Sequence, residues 1–207
     1  MKIKKTIIAM SGRKGHGKDT VAKWFMDYLR HEKACRLAFA DPIKSMASNV
    51  FGWDGKKDAK GRKFLQLLGT EVGRCYDDRL WIDKVVQKIK DSQDRFIFIT
   101  DLRFPVELQV LKELALVEEG MELITFQVVK KDPDHPIRMM YDGIKWRLRK
   151  MLGLEHSSEV GFTRSQVDMV IENDFSDPQE TQEDIRSFAE IELGVEVYVF
   201  EDDNESE

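Results

Sequence analysis

The segment Gly12-Arg13-Lys14-Gly15-His16-Gly17-Lys18-Asp19-Thr20 constrains this chain more than any other. It stands between two stretches of opposite character. Before it, Lys5–Ser11 is a short apolar run, read as a buried first strand. After it, Lys18–His31 sets Val21, Ala22, Phe25, Tyr28 and Leu29 along one side of a helix. Glycines let the backbone turn until several N–H groups point inward, and the positive end of the following helix reinforces them. The result is a cradle for phosphate, in the strand–turn–helix setting it requires. Lys18 is expected to reach β- and γ-phosphates, and a nearby hydroxyl to hold Mg²⁺. The usual Ser or Thr directly after the lysine is replaced by Asp19, with Thr20 next. Asp19 would be repelled by phosphate unless it faced Mg²⁺ or a basic side chain. Gly12, Arg13, Gly15, His16, Gly17, Lys18, Asp19 and Thr20 are therefore the candidates for binding ATP.

Downstream, strand and helix patterns alternate. Cys35–Ala40 reads as strand, and Pro42 opens a helix at a favourable position. Phe64, Leu65, Leu67 and Leu68 form a helical face ending near Gly69 or Gly73, and Trp81, Val85, Val86 and Ile89 form another. Phe96–Ile99 is apolar throughout, as a strand covered on both faces must be. Helix is expected over Pro105–Val117 and strand over Leu123–Val129. A basic helix at about Ile137–Leu152 and a loop at Gly153–Phe162 follow. Then come strand over Val167–Ile171, helix over Pro178–Leu193 and strand over Val195–Phe200. This order predicts one α/β domain over residues 1–207. It is a three-layer α/β/α arrangement with a mainly parallel five-stranded sheet and a helical, lid-like insertion at about 131–164.

Acids and cations near predicted strand ends complete the candidate site, because ligands of parallel sheets bind there. Asp101 closes the apolar strand and would reach Mg²⁺, with Thr20 as the other metal candidate. Arg103 would fork onto a phosphate. The plainer alternatives are a helix cap and a surface charge. Asp41 and Lys44 would line an acceptor pocket, although Asp41 in the plainer case only caps its helix. Arg74 follows a glycine at a helix end, from where it would swing towards phosphate. Trp81 is either core or a platform for a base. Arg138 and Arg147 lie in the basic segment, which would close over the reacting phosphates and exclude water. The catalytic candidates are Lys18, Arg74, Asp101, Arg138 and Arg147. The acceptor candidates are Asp41, Lys44, Arg74, Trp81, Asp101 and Arg103.

A net charge of −5 argues against a general polyanion binder, and no apolar run is long enough to span a bilayer. No nucleic-acid or membrane partner is expected. No secretory signal is seen, and two cysteines without motif spacing read as reduced thiols of a cytoplasmic protein.

The set GRKGHGKDT, FADPIK, LQLLGTEVGR with Trp81, TDLRFP and HSSE resembles the bacteriophage deoxynucleoside monophosphate kinases, P-loop proteins related to adenylate kinase. The resemblance runs from about Lys5 to Asn173. It implies ATP- and Mg²⁺-dependent transfer to several deoxynucleotides, in the host cytoplasm if phage-encoded. Apart from the resemblance, a homodimer is admitted as the assembly. It places Gly12–Thr20 on ATP, Lys44, Arg74, Trp81, Asp101 and Arg103 around the acceptor, and Arg138–Arg149 in the lid. Val106 stands where relatives often have asparagine. Other readings are a kinase of the dephospho-coenzyme-A or phosphomevalonate type, a P-loop ATPase or switch with a protein partner, and a nucleic-acid-binding module.

Overall fold

The structure, a computed structural model, describes residues 4–131, 162 and 164–196. Five strands form one sheet: β1 (Lys5–Ser11), β2 (Ala34–Leu37), β3 (Phe96–Ile99), β4 (Met121–Lys130) and β5 (Met169–Asn173). Their order is β2-β3-β1-β4-β5, and every pairing is parallel. β1 is central, so both of its faces are covered and its apolar run has no polar alternation. Ile8 and Met10 point to one layer, and Ile7 and Ala9 to the other.

The first layer is α1 (Lys18–Tyr28) and the helix after β5, α6 (Pro178–Ile191). Phe25, Phe98, Phe126 and Phe188 meet there with ring centroids 5.0–5.9 Å apart. The second layer is α4 (Leu80–Asp91) and α5 (Pro105–Val117), whose Ile82, Val85, Ile89, Leu108 and Leu111 cover Ile97 and Ile99. The predicted three-layer α/β/α architecture with a parallel five-stranded sheet is thus observed. Among the described residues no helix is long and apolar enough to cross a membrane. The basic helix, Arg138 and Arg147, and most of the expected insertion lie outside the described residues. So does most of the strand expected at Val195–Phe200.

Two helices stand beside this core, α2 (Asp41–Phe51) and α3 (Ala59–Gln66). The second does not stop at Gly69. It continues as a π-helical turn over Leu67–Arg74, a wider winding that propensity and periodicity do not signal. Its glycines let two side chains approach. A Cβ on Gly69 would lie 2.8 Å from Ile43, and one on Gly73 would lie 2.0 Å from Trp81 Nε1. Trp81 is 2% exposed, and its indole N–H donates to the Gly69 carbonyl at 3.0 Å. Gly73→Ala is expected to destabilise the fold by roughly 1–3 kcal/mol, because the ring has nowhere to go. In thermal unfolding this corresponds to a loss of about 2–4 °C per kcal/mol for a chain of this size. An unchanged melting temperature would show that Trp81 does not pin the π-helical turn.

Candidate functional site

The loop between β1 and α1 is compressed against two strands. Gly12 has φ of 141°, and a Cβ there would sit 2.3 Å from the Val128 carbonyl of β4. Gly17 has φ of 85°, and a Cβ there would sit 2.1 Å from Asn173 Nδ2 at the end of β5. Both positions exclude a side chain by space and by dihedral. Asn173 also donates to the His16 carbonyl at 3.0 Å. His16 Nδ1 lies 3.2 Å from the Val128 carbonyl, which can only accept, so Nδ1 carries the proton.

Gly17 caps α1 in the left-handed conformation and supplies no side-chain acceptor. The first-turn N–H groups of α1 therefore have no side-chain partner from that cap and, by helix geometry, face the loop. Lys18 folds back over the loop, donating to the Gly12 carbonyl at 2.7 Å and the Arg13 carbonyl at 3.0 Å. All eight predicted loop residues, Gly12 to Thr20, are thus gathered at the carboxyl end of β1.

Asp19 faces a basic side chain. Partial burial pushes its pKa up, but the Thr100 hydroxyl at 2.9 Å and the Arg36 guanidinium at 3.0–3.1 Å outweigh this, and the net shift is downward. Arg36 also lies 3.9 Å from Asp41, which pairs with Lys44 at 2.7 Å. Acid and cation alternate from Asp19 through Arg36 and Asp41 to Lys44, linking the phosphate loop to the start of α2. Arg36 was not picked out from sequence. The available signal is an isolated cation within the run Cys35–Ala40.

Asp101 is brought to the same edge, but its oxygens are already engaged. They accept from the N–H groups of Phe39 at 2.8 Å and Ala40 at 2.9 Å. The carboxylate holds the turn that leads into α2, whose own N-cap has no side-chain bond. Desolvation raises its pKa, and the two backbone bonds oppose the shift. Arg103 is exposed beside it.

Arg74 is held rather than extended. Its Nη2 donates to Glu107 at 2.6 Å, and its guanidinium carbon lies 3.7 Å from the centre of the Phe104 ring. Glu107, also missed from sequence, accepts from the N–H groups of Arg103 at 2.8 Å and Phe104 at 3.0 Å. Its signal was a glutamate in the first turn of a helix opened by Pro105, which reads simply as a cap. Trp81, counted from sequence among the acceptor residues, is buried beneath the π-helical turn as described above. Its indole is committed to Gly69.

His16 generates a pH prediction. Burial lowers its pKa against the raising effect of the Val128 bond, and Lys18, Arg13 and Lys130 lower it further. Below pH about 6.5 the unfolded chain takes a proton that the folded loop resists, so stability falls as pH falls. Thermal unfolding at pH 7.5 and 5.5 is expected to show a larger loss for the wild type than for His16→Asn. Equal losses would reject the linkage.

No family model matches the chain. It is 27% identical over 133 residues to the deoxynucleoside-5'-monophosphate kinase of Escherichia phage T5, covering 64% of this chain and 46% of that protein. It is 31% identical over 116 residues to the uncharacterised ORF77 protein of Ictalurid herpesvirus 1, covering 55% and 49%. A protein of Acanthamoeba polyphaga mimivirus, provisionally named a deoxynucleotide monophosphate kinase, is 29% identical over 172 residues, covering 67% and 83%. The chain spans about half the length of the phage and herpesvirus proteins. Among solved structures, the APS kinase of Mycobacterium tuberculosis is 12% identical with a TM-score of 0.47, covering 89% of this chain and 97% of that one. The chain is therefore similar, over about two thirds of its length, to viral proteins named as deoxynucleotide monophosphate kinases.

Proposed function

We propose that this chain is a phosphotransferase that moves the γ-phosphate of ATP onto a deoxynucleoside 5'-monophosphate, giving the diphosphate. The observation that carries this reading is the juxtaposition at the sheet edge. An anion cradle at the head of α1 is joined by ion pairs to a second set of cations, Arg36 and Lys44, while Arg74 and the Arg103 backbone are both held by Glu107. A hydrolase needs one phosphate site, whereas a kinase needs two facing each other. The names of the phage and mimivirus relatives favour a deoxynucleotide as the acceptor.

Phosphoryl transfer asks little covalent chemistry of the protein, and most of the acceleration comes from position and charge. Lys18 would exchange its two loop carbonyls for the β- and γ-phosphate oxygens. Backbone N–H groups of the loop would hold the rest of the triphosphate. Arg36, Lys44, Arg74 and Arg103 would hold the acceptor phosphate in line. Arg138 and Arg147, in the basic segment, would close over the transferring group.

Thr20 is exposed in the first turn of α1 and offers a hard oxygen donor suited to Mg²⁺. When bound, the ion supplies charge neutralisation across the phosphates. Among the described residues no group of three acidic, histidine or cysteine side chains forms a metal cage. A site completed by phosphate oxygens and water fits that arrangement. Each Asp101 oxygen accepts one backbone N–H and keeps a further lone pair, so the carboxylate would reach the ion or its water shell without giving up either bond.

ADP release with Mg-ATP and each deoxynucleoside monophosphate tests the proposal. Release that depends on the acceptor, with the diphosphate formed, is expected. Slow release that no nucleotide accelerates would sink it. Lys18→Ala is expected to lower turnover on the order of 10²-fold or more while the melting temperature is retained. Near-normal turnover would remove that lysine from the mechanism.

A further inference from the structure

Glu107 makes more contacts than a helix cap needs. It is 1% exposed, and burial pushes its pKa up to about 7 against the N–H bonds of Phe104 and Arg103. Two of its three bonds serve the start of α5. The third goes to Arg74, which arrives from a segment 33 residues earlier. A cap gains nothing from recruiting a distant cation into a desolvated position. The guanidinium is fixed twice, by the carboxylate along one edge and by the Phe104 ring across its face. Glu107 takes only Nη2. Among the described residues Arg74 makes no other hydrogen bond, so Nη1 and Nε keep their donors for a second anion. The side chain is 13% exposed, so that edge is not sealed. Arg74 also ends the π-helical turn, a winding frequent at functional sites.

We propose that Glu107 is the positioning residue of the acceptor site. It aims the remaining edge of Arg74 at the acceptor's phosphate and holds the Arg103 backbone beside it. The inference rests on the kinase reading above and extends it to a residue that touches no substrate. The charged groups facing Glu107 are Arg74 from the π-helical turn and Asp101 from the turn after β3, while Arg103 meets it through its backbone N–H. As pH falls through about 7 the carboxylate takes up a proton. The bond to Arg74 then loses its charge assistance, and the acceptor KM rises. The acceptor phosphate itself titrates near pH 6, so Glu107→Gln, which lacks the carboxyl, serves as the control.

The test uses the full chain with Mg-ATP and the best deoxynucleoside monophosphate acceptor of the wild type. Glu107→Gln is expected to raise the acceptor KM at least about tenfold at pH 8, with the ATP KM held within about twofold. Its pH profile should keep only the acceptor's own step. The double variant Arg74→Ala with Glu107→Gln should be no worse than Arg74→Ala, because the carboxylate acts through the guanidinium. Glu107→Asp provides the same comparison if the glutamine variant unfolds. It keeps the charge but draws the carboxylate back from Arg74, and the acceptor KM should again rise alone. Equal changes in both KM values, no change in either, or additive effects in the double variant would overturn the proposal. A wild type that phosphorylates no nucleotide would refute the kinase reading itself. That result differs from a working kinase whose acceptor KM ignores Glu107.

Discussion

Gly12 and Gly17 lie closer to β4 and β5 than any side chain permits, and the glycine-rich loop between β1 and α1 keeps its shape because of that contact. The Val128 carbonyl abuts Gly12 and accepts from His16, while Asn173 abuts Gly17 and donates to the His16 carbonyl. The loop is thus braced by β4 and by the edge strand β5. Its N–H groups are held on a fixed frame, which in the proposed role would spare the ordering cost that a loose loop incurs on binding an anion. The sheet order makes this bracing available, since β4 lies directly beside β1 and β5 beyond it.

The other half of the edge is organised by two carboxylates that never reach solvent freely. Asp101 accepts two backbone N–H groups ahead of α2, and Glu107 accepts two at the start of α5 and a guanidinium besides. Removing one partner of a buried pair such as Glu107 and Arg74 typically costs roughly 3–5 kcal/mol, because the other charge is left without its counterpart. Such groups are expensive in a core. Here they stand where three segments distant in sequence must be held in register around one small volume.

Between these halves runs the alternating chain of Asp19, Arg36, Asp41 and Lys44. Asp19 is three-quarters exposed and Arg36 about one third, so their ion pair contributes little to stability. Its consequence is electrostatic. The acid that follows Lys18 is offset by a cation from β2 and a hydroxyl just past β3, so a negative charge beside the proposed phosphate site becomes tolerable.

The chain's local patterns determined a good deal. The apolar runs at Lys5–Ser11 and Phe96–Ile99, the glycine spacing before Lys18 and the helix opened by Pro105 were all legible, because periodicity and backbone freedom are properties of neighbouring residues. So was the placing of Asp101 and Arg103 just past β3, whereas β2 ends at Leu37 rather than Ala40 and Asp41 and Lys44 belong to the first turn of α2. Three-dimensional packing decided the rest. Along the π-helical turn Ile43 and Trp81 press against Gly69 and Gly73, contacts that no run of residues announces. Trp81 turned inward because its N–H found a carbonyl 12 residues away. Asp101 and Glu107 took up distant N–H groups and a distant arginine, and Arg36 crossed from β2 to α1. A side chain's partner depends on which strands and helices the fold sets side by side, and a one-dimensional pattern carries no record of that.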